Sequence, residues 1–513
     1  MIRVRVHVSL QRFLFIMRKG GTPGKKGTHV VRRPFALKWD VLPDAEVLAR
    51  MNRWFHPDRW PAFGFSPVAP RCPRGVVFAP ANSIGFRTGN HEASPPIRRG
   101  RAVTITVDPV PSPGMPKQTV AVLFGGRSVE HEVSIISAHQ AMDALEVAGY
   151  SLLPIFLDKH GAWYAGKDLY NLRQYAMPGF RPETLRDAHR VSLSPDPGIR
   201  QLVLHPHGAK GFFYKPPVLW ADVFFPVLHG TFGEDGCLQG LFELADVPYV
   251  GCGVFASAAG MDKIAQKELF RRAGLPVLDC VWTHRTAYQS AEEAFLSKVE
   301  AAFPYPVIAK PNSLGSSIGI RRCSSREELR DALAVAFTFD QRVLVERALV
   351  GFKEVNCSII GPPARASVCE MPTHEGDLLT FDAKYKSGGK GAKGAGKMSK
   401  AGMASLNRKI PAPISEPLSE RIQDCAAAAF QAVGGHGISR VDFLLEPDGD
   451  TFYVNEINTL PGSLSFYLWE ASGMPFDRLV TLLVDGAVER HRQSRQTRHS
   501  LDVNLLAAAR PVA

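Results

Sequence analysis

The residue types best suited to chemistry gather in SRVDFLLEPDGDTFYVNEIN, residues 439–458. Asp442 falls in one apolar run, PDGD reverses the chain, and Glu456 and Asn458 fall in the next. Side chains alternate across a strand, so Glu456 and Asn458 share a face, and a hairpin can bring Asp442 opposite them. Three oxygen donors at the centre of a sheet suit Mg²⁺, which prefers oxygen ligands and keeps phosphate partners. The flanking FLL and FYV argue for burial, and buried carboxylates require a cation or a donor. Arg440, on the same face as Asp442, can supply charge to a transition state or serve as the ion-pair partner of these acids.

A second constellation is IAKPNSLGSSIGI, residues 308–320. Lys310 ends a strand-like run, and the small residues Gly315, Ser316, Ser317 and Gly319 let backbone N–H groups approach phosphate oxygens. In VLVERAL, Glu346 at a strand end can accept from an adenine amino group, and Glu354 beyond it can hold a ribose hydroxyl pair. Conventional nucleotide motifs fail. No G-x-G-x-x-G opens a helix after the first strand, and GAKGAGKM (391–398) has Met398 where a phosphate loop needs Ser or Thr. That Lys/Gly-rich loop reads as a basic lid. The run VAVLFGGRSVEHEVSIISAHQ, residues 120–140, has the strand–turn–helix shape of many nucleotide sites without their glycine spacing. Its carboxylates, Glu130 and Glu132, leave a substrate role open.

The elements that must position these residues follow an α/β rhythm from Gln118 onward. VAVLF, SLLPIFLD and ADVFFPVLHG read as buried strands. SIISAHQAMDALEVAGY, LQGLFELADV and MDKIAQKELFRRAGLPV read as helices, the last closed by Gly274. YPVIAK and SSIGIRR read as strands about a Gly/Ser turn, and Ser325 with Glu328 forms a capping box before LRDALAVAF. RVLVERAL, EVNCSIIG, SRVDFLLE and DTFYVNEIN complete the strands, IQDCAAAAFQAVG and FDRLVTLLVDGAVERH the helices.

The bulk composition narrows the function classes. Net charge is +12, but residues 1–117 hold 20 Lys and Arg against 6 acids, and the remainder holds 41 against 43. The basic excess belongs to an Arg/Pro/Gly-rich extension, residues 1–114, expected to be disordered. It reads first as an upstream extension or a misplaced start before Met115, ahead of a transit peptide or a nucleic-acid-binding arm. No interleaved aromatic repeats support nucleic acid as a partner. The eight Cys are scattered without C-x-x-C, which argues against a zinc or disulfide framework. No apolar run approaches the length of a membrane span.

In order along the chain, GGRSVEHEVS, HGTFGEDGCLQG, GMDK, KPNSLGSSIG, VER, AKY, SRVDF and NEINTLPG resemble the ATP-grasp fold and, within it, the D-alanine–D-alanine ligase family. The resemblance covers about Val120 to Asp485 and no part of the extension. It implies an α/β architecture of an N-terminal parallel α/β domain (115–258), a central ATP-grasp subdomain (259–348) and a C-terminal one with the lid and metal site (349–490), then a tail (491–513). It also implies ATP as substrate, two Mg²⁺ ions (Mn²⁺ substituting), a cytoplasmic homodimer with no membrane partner, and synthesis of a peptidoglycan precursor through an acyl phosphate.

Residue by residue, the resemblance assigns Lys263, Lys310, Ser316 and Ser317 to the ATP phosphates. Glu346, Arg347, Leu349 and Glu354 fall in the adenine and ribose pocket, and Lys384 and Tyr385 on the lid. Asp442, Glu456 and Asn458 hold the metal ions, and Arg440 with Gly462 N–H forms the oxyanion hole. Glu130, linked with Ser316 and Tyr385, holds the ammonium of the first D-alanine, with His229 beside the substrate and Ser465 reading the second carboxylate. The chain departs from the family at Arg347, where relatives carry Lys, at the longer GFKE spacing, and in the shorter 461–469 stretch. Tyr385 favours an amine as second nucleophile, D-alanine or alternatively D-serine.

Overall fold

The computed structural model describes residues 118–205, 216–373 and 408–504. Lys384, Tyr385, the near-Walker loop and the N-terminal extension lie outside the described residues.

Among the described residues three sheets form, each with its own apolar core. The first runs β5-β4-β3-β2-β1-β6. Its strands are β1 (Thr119–Gly125), β2 (Ser151–Leu157), β3 (Trp163–Ala165), β4 (His189–Leu193), β5 (Leu202–Leu204) and β6 (Val223–Pro226). Strand β1 pairs in parallel with β2 and β6. The β1–β2 crossover is α1 (His131–Val147), and β6 leads toward α2 (Cys237–Leu244). The sheet is not wholly parallel, as the sequence had suggested: β3, β4 and β5 add as an antiparallel meander. These strands are three to five residues long, too short to show alternation. Phe124, Met142 and Leu145 lie on the α1 side of this sheet, and Phe224 and Phe242 on the α2 side.

Next come α3 (Val254–Met261) and α4 (Lys263–Arg272), then β7 (Cys280–His284), α5 (Arg285–Ser290), α6 (Glu292–Ala302), β8 (Val307–Pro311), β9 (Arg321–Cys323), α7 (Arg326–Phe339) and β10 (Arg342–Arg347). Asp262 caps α4 by accepting from Ala265 N–H, and Ser325 caps α7 by accepting from Glu328 N–H. The strands form an antiparallel sheet ordered β7-β10-β8-β9, with Leu296, Leu329, Leu333 and Val345 in its core. SSIG, expected to enter a strand, stays in the turn before β9. Ser316, Ser317 and Gly319 all take left-handed φ, at 55°, 59° and 74°, which a strand cannot contain.

The third sheet, β13-β12-β11-β14-β15, is antiparallel. It contains β11 (Lys353–Gly361), β12 (Arg365–Pro372), β13 (Arg408–Lys409), β14 (Gly437–Leu445) and β15 (Phe452–Asn458), backed by α8 (Glu416–Ala432). Ile422, Ala426 and Phe430 of α8 join Val355, Val441 and Phe443 in its core. After a turn come α9 (Phe466–Ala471) and α10 (Phe476–Ser494), which runs past the expected start of the tail. Leu479, Leu483 and Val484 return α10 to the core beside α1, and Arg490 donates to the carbonyls of Gly251 and Tyr249.

Candidate functional site

The turn from β1 into α1 is the first wall of the site. Gly125 and Gly126 take φ of 90° and 96°. A Cβ on Gly125 would lie 2.3 Å from Leu157 O, so only glycine fits. Ser134 of α1 accepts from Gly125 N–H and donates to Val227 O, tying the helix to two parallel strand ends. This turn thus delivers Glu130, the residue before α1, rather than a ring of phosphate donors. Glu130 is buried and accepts a hydrogen bond from Ser316 Oγ in the Gly/Ser loop. Gly315 lies so close that a Cβ there would come within 3.1 Å of Glu130 Oε2.

The second wall is the β14–β15 hairpin. Asp442 lies opposite Glu456, and Arg440 opposite Asn458. Arg440 grips Asp442 with two parallel bonds of 2.6 and 2.7 Å, and Asn458 Nδ2 donates to the same carboxylate at 3.0 Å. Burial disfavours the Arg440 cation, but Asp442 against it keeps the guanidinium protonated well beyond its ordinary range. Lys263 Nζ stands 3.2 Å from Glu456 and donates to Leu314 O. The pairing slips after Asp442 so that Phe443 faces Val454, leaving Asn455 as an extra residue. Such a bulge re-aims side chains, and both Asn455 and Glu456 line one cleft here.

That cleft opens to solvent and is lined by Lys263, Lys310, Ser317, Arg347, Leu349 and Glu354 among others. The Glu346 side chain is only 1% exposed and is taken up by Lys267 at 2.7 Å and Lys310 at 2.5 Å. Burial alone would raise its carboxyl pKa, but the two ammonium groups hold it at about 2. The expected acceptor for an adenine amino group is thus a carboxylate already bound by two lysines, because no carboxylate this buried stands without counter-charge. Arg347 reaches Glu446 and the Tyr453 hydroxyl.

A neighbouring cleft of about 740 Å³ is lined by Glu130, His229, Glu234, Ser316, Arg440, Asn458 and Gly462 among others, and shares Lys263, Leu314, Gly315 and Glu456 with the first. Sequence elements more than 300 residues apart therefore meet at one junction. Ser465 is fully buried with its hydroxyl unpartnered, and is not among the residues lining this cleft.

Four residues here carried no assigned role from the sequence: Ser137, Glu234, Lys267 and Asn455. Glu234 accepts from Gly230 N–H at 2.7 Å and Leu460 N–H at 3.1 Å. Burial, then Glu130 nearby, pushes its carboxyl well above the usual range. Burial also lowers the His229 imidazole to about 4, so the ring is neutral. Spacing could have found Ser137: Glu130, Ser134 and Ser137 stand at i, i+4 and i+7, one polar stripe on a buried helix.

Among the described residues no group of three or more His, Cys, Asp or Glu is gathered for a metal. Asp442, Glu456 and Asn458 reach three donors only through the Asn amide. All three offer oxygen, and Arg440 and Lys263 offset the acids' charge. That set fits a hard divalent cation that keeps phosphate and water among its ligands.

Comparison with known proteins identifies the family. Residues 119–252 match the family model for the D-ala D-ala ligase N-terminus, and residues 269–485 that for the D-ala D-ala ligase C-terminus. The chain is 41% identical over 390 residues to the D-alanine–D-alanine ligase of Heliobacterium modesticaldum, covering 74% of this chain and 98% of that protein. It is 35% identical to that of Thermosipho africanus, covering 75% and 97%. The fold is similar to the D-alanine-D-alanine ligase of Coxiella burnetii, with TM-score 0.59 and 29% identity over 74% of this chain and 96% of that one. It is also similar to the VanG D-Ala:D-Ser ligase of Enterococcus faecalis, with TM-score 0.58 and 29% identity over 73% and 100%. With two family models matched in sequence over residues 119–252 and 269–485, this chain belongs to the D-alanine–D-alanine ligase family.

Proposed function

We propose that the chain joins two D-alanine molecules into D-alanyl-D-alanine with consumption of ATP, supplying a peptidoglycan precursor. The observation that carries this reading is the junction of the two clefts at Lys263, Gly315 and Glu456. One cleft has the basic, partly apolar lining that a nucleotide needs. The other has a carboxylate, Glu130, for an ammonium and a cation, Arg440, for developing negative charge. A phosphoryl group passing between them crosses the shared wall.

In the first step a carboxylate oxygen of D-alanine attacks the γ-phosphorus, the bond to the β–γ bridging oxygen breaks, and ADP leaves. Lys263 and Lys310 offset charge on the phosphate oxygens, and the turn at Ser316 and Ser317, left-handed at both, would offer backbone N–H groups to them. Glu130, oriented by Ser316, holds the ammonium of this first D-alanine. In the second step the neutral amine of another D-alanine attacks the acyl carbon, the bond from that carbon to the phosphate oxygen breaks, and the departing phosphate carries away the proton the amine loses. Arg440 and Gly462 N–H line the cleft where the oxyanion forms, and one such donor is worth roughly 3–4 kcal/mol. A divalent cation held by Asp442, Glu456 and Asn458 would neutralise phosphate charge and orient the transferring group. Lys384 and Tyr385 are assigned to the closing lid.

Three sheets, one per segment, support dividing the body at about 258 and 348. No helix among the described residues is long and apolar enough to cross a membrane, and a cytoplasmic homodimer using Mg²⁺ or Mn²⁺ completes the proposal. The test is phosphate release with ATP and Mg²⁺ against D-alanine, D-serine and D-lactate as second substrate. Release with D-alanine alone supports the reading; no turnover with any D-amino acid refutes it.

A further inference from the structure

The segment after β15 is held in an unusual conformation. Ser463, Leu464 and Ser465 take consecutive left-handed φ of 52°, 51° and 47°. None is glycine, so each carries a steric cost and persists only where neighbours over-determine it. Within the run Leu464 N–H reaches Pro461 O. The remaining holds come from outside the segment.

Three side chains supply them, His229 and Ser137 buried and Glu234 partly so. Glu234 accepts from Leu460 N–H at 3.1 Å. His229 Nδ1 lies 3.1 Å from Leu460 O, and His229 Nε2 lies 3.0 Å from Ser137 Oγ. Ser137 Oγ is in turn 3.0 Å from Ser463 N. The directions of these bonds follow from chemistry. A carbonyl only accepts, so Nδ1 carries the proton of the neutral ring. Nε2 must then accept, so the Ser137 hydroxyl donates to it. The serine oxygen accepts from Ser463 N–H, and each group of the chain is satisfied. Both ends of this relay close on one segment, at Leu460 and at Ser463. Gly462 N–H, between those two clamps, is not consumed by any of them.

We propose that Ser137 is a positioning residue for the second amino acid: through His229 and Ser463 N–H it fixes the 460–465 segment, and with it Gly462 at the cleft wall. The proposal rests on the ligase reading and deepens it. Ser137 is not itself a lining residue of either cleft and reaches the cleft wall only through His229, which lines it, and through Ser463 N–H. It sits on α1 two turns beyond Glu130, on the same face. One rigid helix thereby spaces the ammonium anchor of the first D-alanine from the segment that reads the second. The distance between the two subsites becomes a property of α1, independent of the nucleotide cleft.

The test is Ser137→Ala, with phosphate release measured over D-alanine concentrations wide enough to resolve both subsites, and separately over ATP. The expected result is a rise of about tenfold in KM for the second D-alanine, the effect of losing roughly 1.4 kcal/mol of hydrogen bonding. KM for ATP should stay within about twofold, because the nucleotide cleft shares no group with the relay. Ser137→Cys, of similar volume with a weak S–H donor, should fall between wild type and the alanine variant. It also gives the same reading where the alanine variant folds poorly. An unchanged second KM in an active protein overturns the role of Ser137 and leaves the ligase reading standing. A parallel rise in both D-alanine KM values and in that for ATP, with a lowered Tm, reduces Ser137 to a packing residue and also overturns it. A wild-type protein that releases no phosphate with D-alanine overturns the ligase reading itself.

Discussion

Glu346→Gln tests the electrostatic centre of the cleft proposed for the nucleotide. The carboxylate is 1% exposed between Lys267 and Lys310, so the amide leaves two buried ammonium groups without their counter-charge. The magnitude follows from what the two ammonium groups do to the Glu346 carboxyl. Its carboxyl is held at about 2 against an ordinary 4.5. A protonated Glu and a Gln are both neutral, so the lost interaction is about 2.5 pK units at about 1.36 kcal/mol each, or about 3 kcal/mol. Breaking a buried pair by removing one partner costs about 3–5 kcal/mol, in agreement. The sign follows from the lowered value: the contribution is fully present above pH 4.5 and is lost as pH falls toward 2. Thermal unfolding of both proteins between pH 8 and pH 3 is the assay. The variant's Tm should lie several degrees below wild type, with a constant gap from pH 8 to 5 that narrows below 4.5. Glu346→Gln/Lys267→Met, which removes one orphaned charge, should recover part of the loss. A variant as stable as wild type at pH 7, or a gap that widens in acid, refutes the reasoning.

His229 gives a slope of opposite origin. Its imidazole is held at about 4 against 6.5, so the unfolded chain binds a proton the folded one refuses, and stability falls as pH drops from 6.5 toward 4. Between pH 7 and 5 that loss is about 2 kcal/mol and should be absent in His229→Gln; the raised carboxyl of Glu234 slopes the other way in both proteins and cancels in the comparison. Asp442→Asn should raise the Mg²⁺ concentration for half-maximal phosphate release by tenfold or more, since it removes a charged oxygen ligand, while leaving the His229 slope in place. Gly437→Ala combines a left-handed φ of 72° with a Cβ 2.8 Å from the Gly251 backbone. It should destabilise by about 2–4 kcal/mol on denaturant unfolding, with the loss concentrated where β14 meets the first sheet's loop.

What could be read from the sequence, and what could not, divides along the range of the interactions. Strands with long apolar runs, such as β1, β10, β11 and β14, declare themselves because burial on both faces forces the composition. The cap at Ser325 and the stop at Gly274 are equally local. The meander β3–β5 is not, because three-residue strands owe their existence to pairing with β2 rather than to their own pattern. The same rule governs the site. Glu456 and Asn458 share a face by alternation, which spacing alone gives, but the register at the turn would set Asp442 opposite Asn455, and only the slip after Asp442 brings it opposite Glu456. Asn455 breaks alternation through the bulge, which no residue pattern announces, and so a side chain expected to face away lines the nucleotide cleft.

Glu346 shows where reasoning from residue type stops. A carboxylate at a strand end looks like a ligand for a base, and the residue does border the nucleotide cleft. What decides its behaviour is Lys267, four positions beyond Lys263 on α4, an element folded from a distant part of the chain. Lys263 and Lys267 lie one turn apart on one helix face. The first is aimed at Glu456 of β15 and the second at Glu346 of β10, so α4 links the second and third sheets through a pair of ammonium groups. The arrangement assigns different work to two lysines of the same type. Lys267 is 2% exposed and fully committed to Glu346 and Leu278 O, which suits it to holding the strand. Lys263 lines both clefts, where its charge can serve a phosphoryl group in passage. Replacing each with Met should therefore separate the two effects: Lys267→Met chiefly lowers Tm, and Lys263→Met chiefly lowers kcat with a smaller loss of Tm, because its partner Glu456 keeps contact with solvent. Equal losses of Tm in the two variants would mean that α4 serves only as a scaffold.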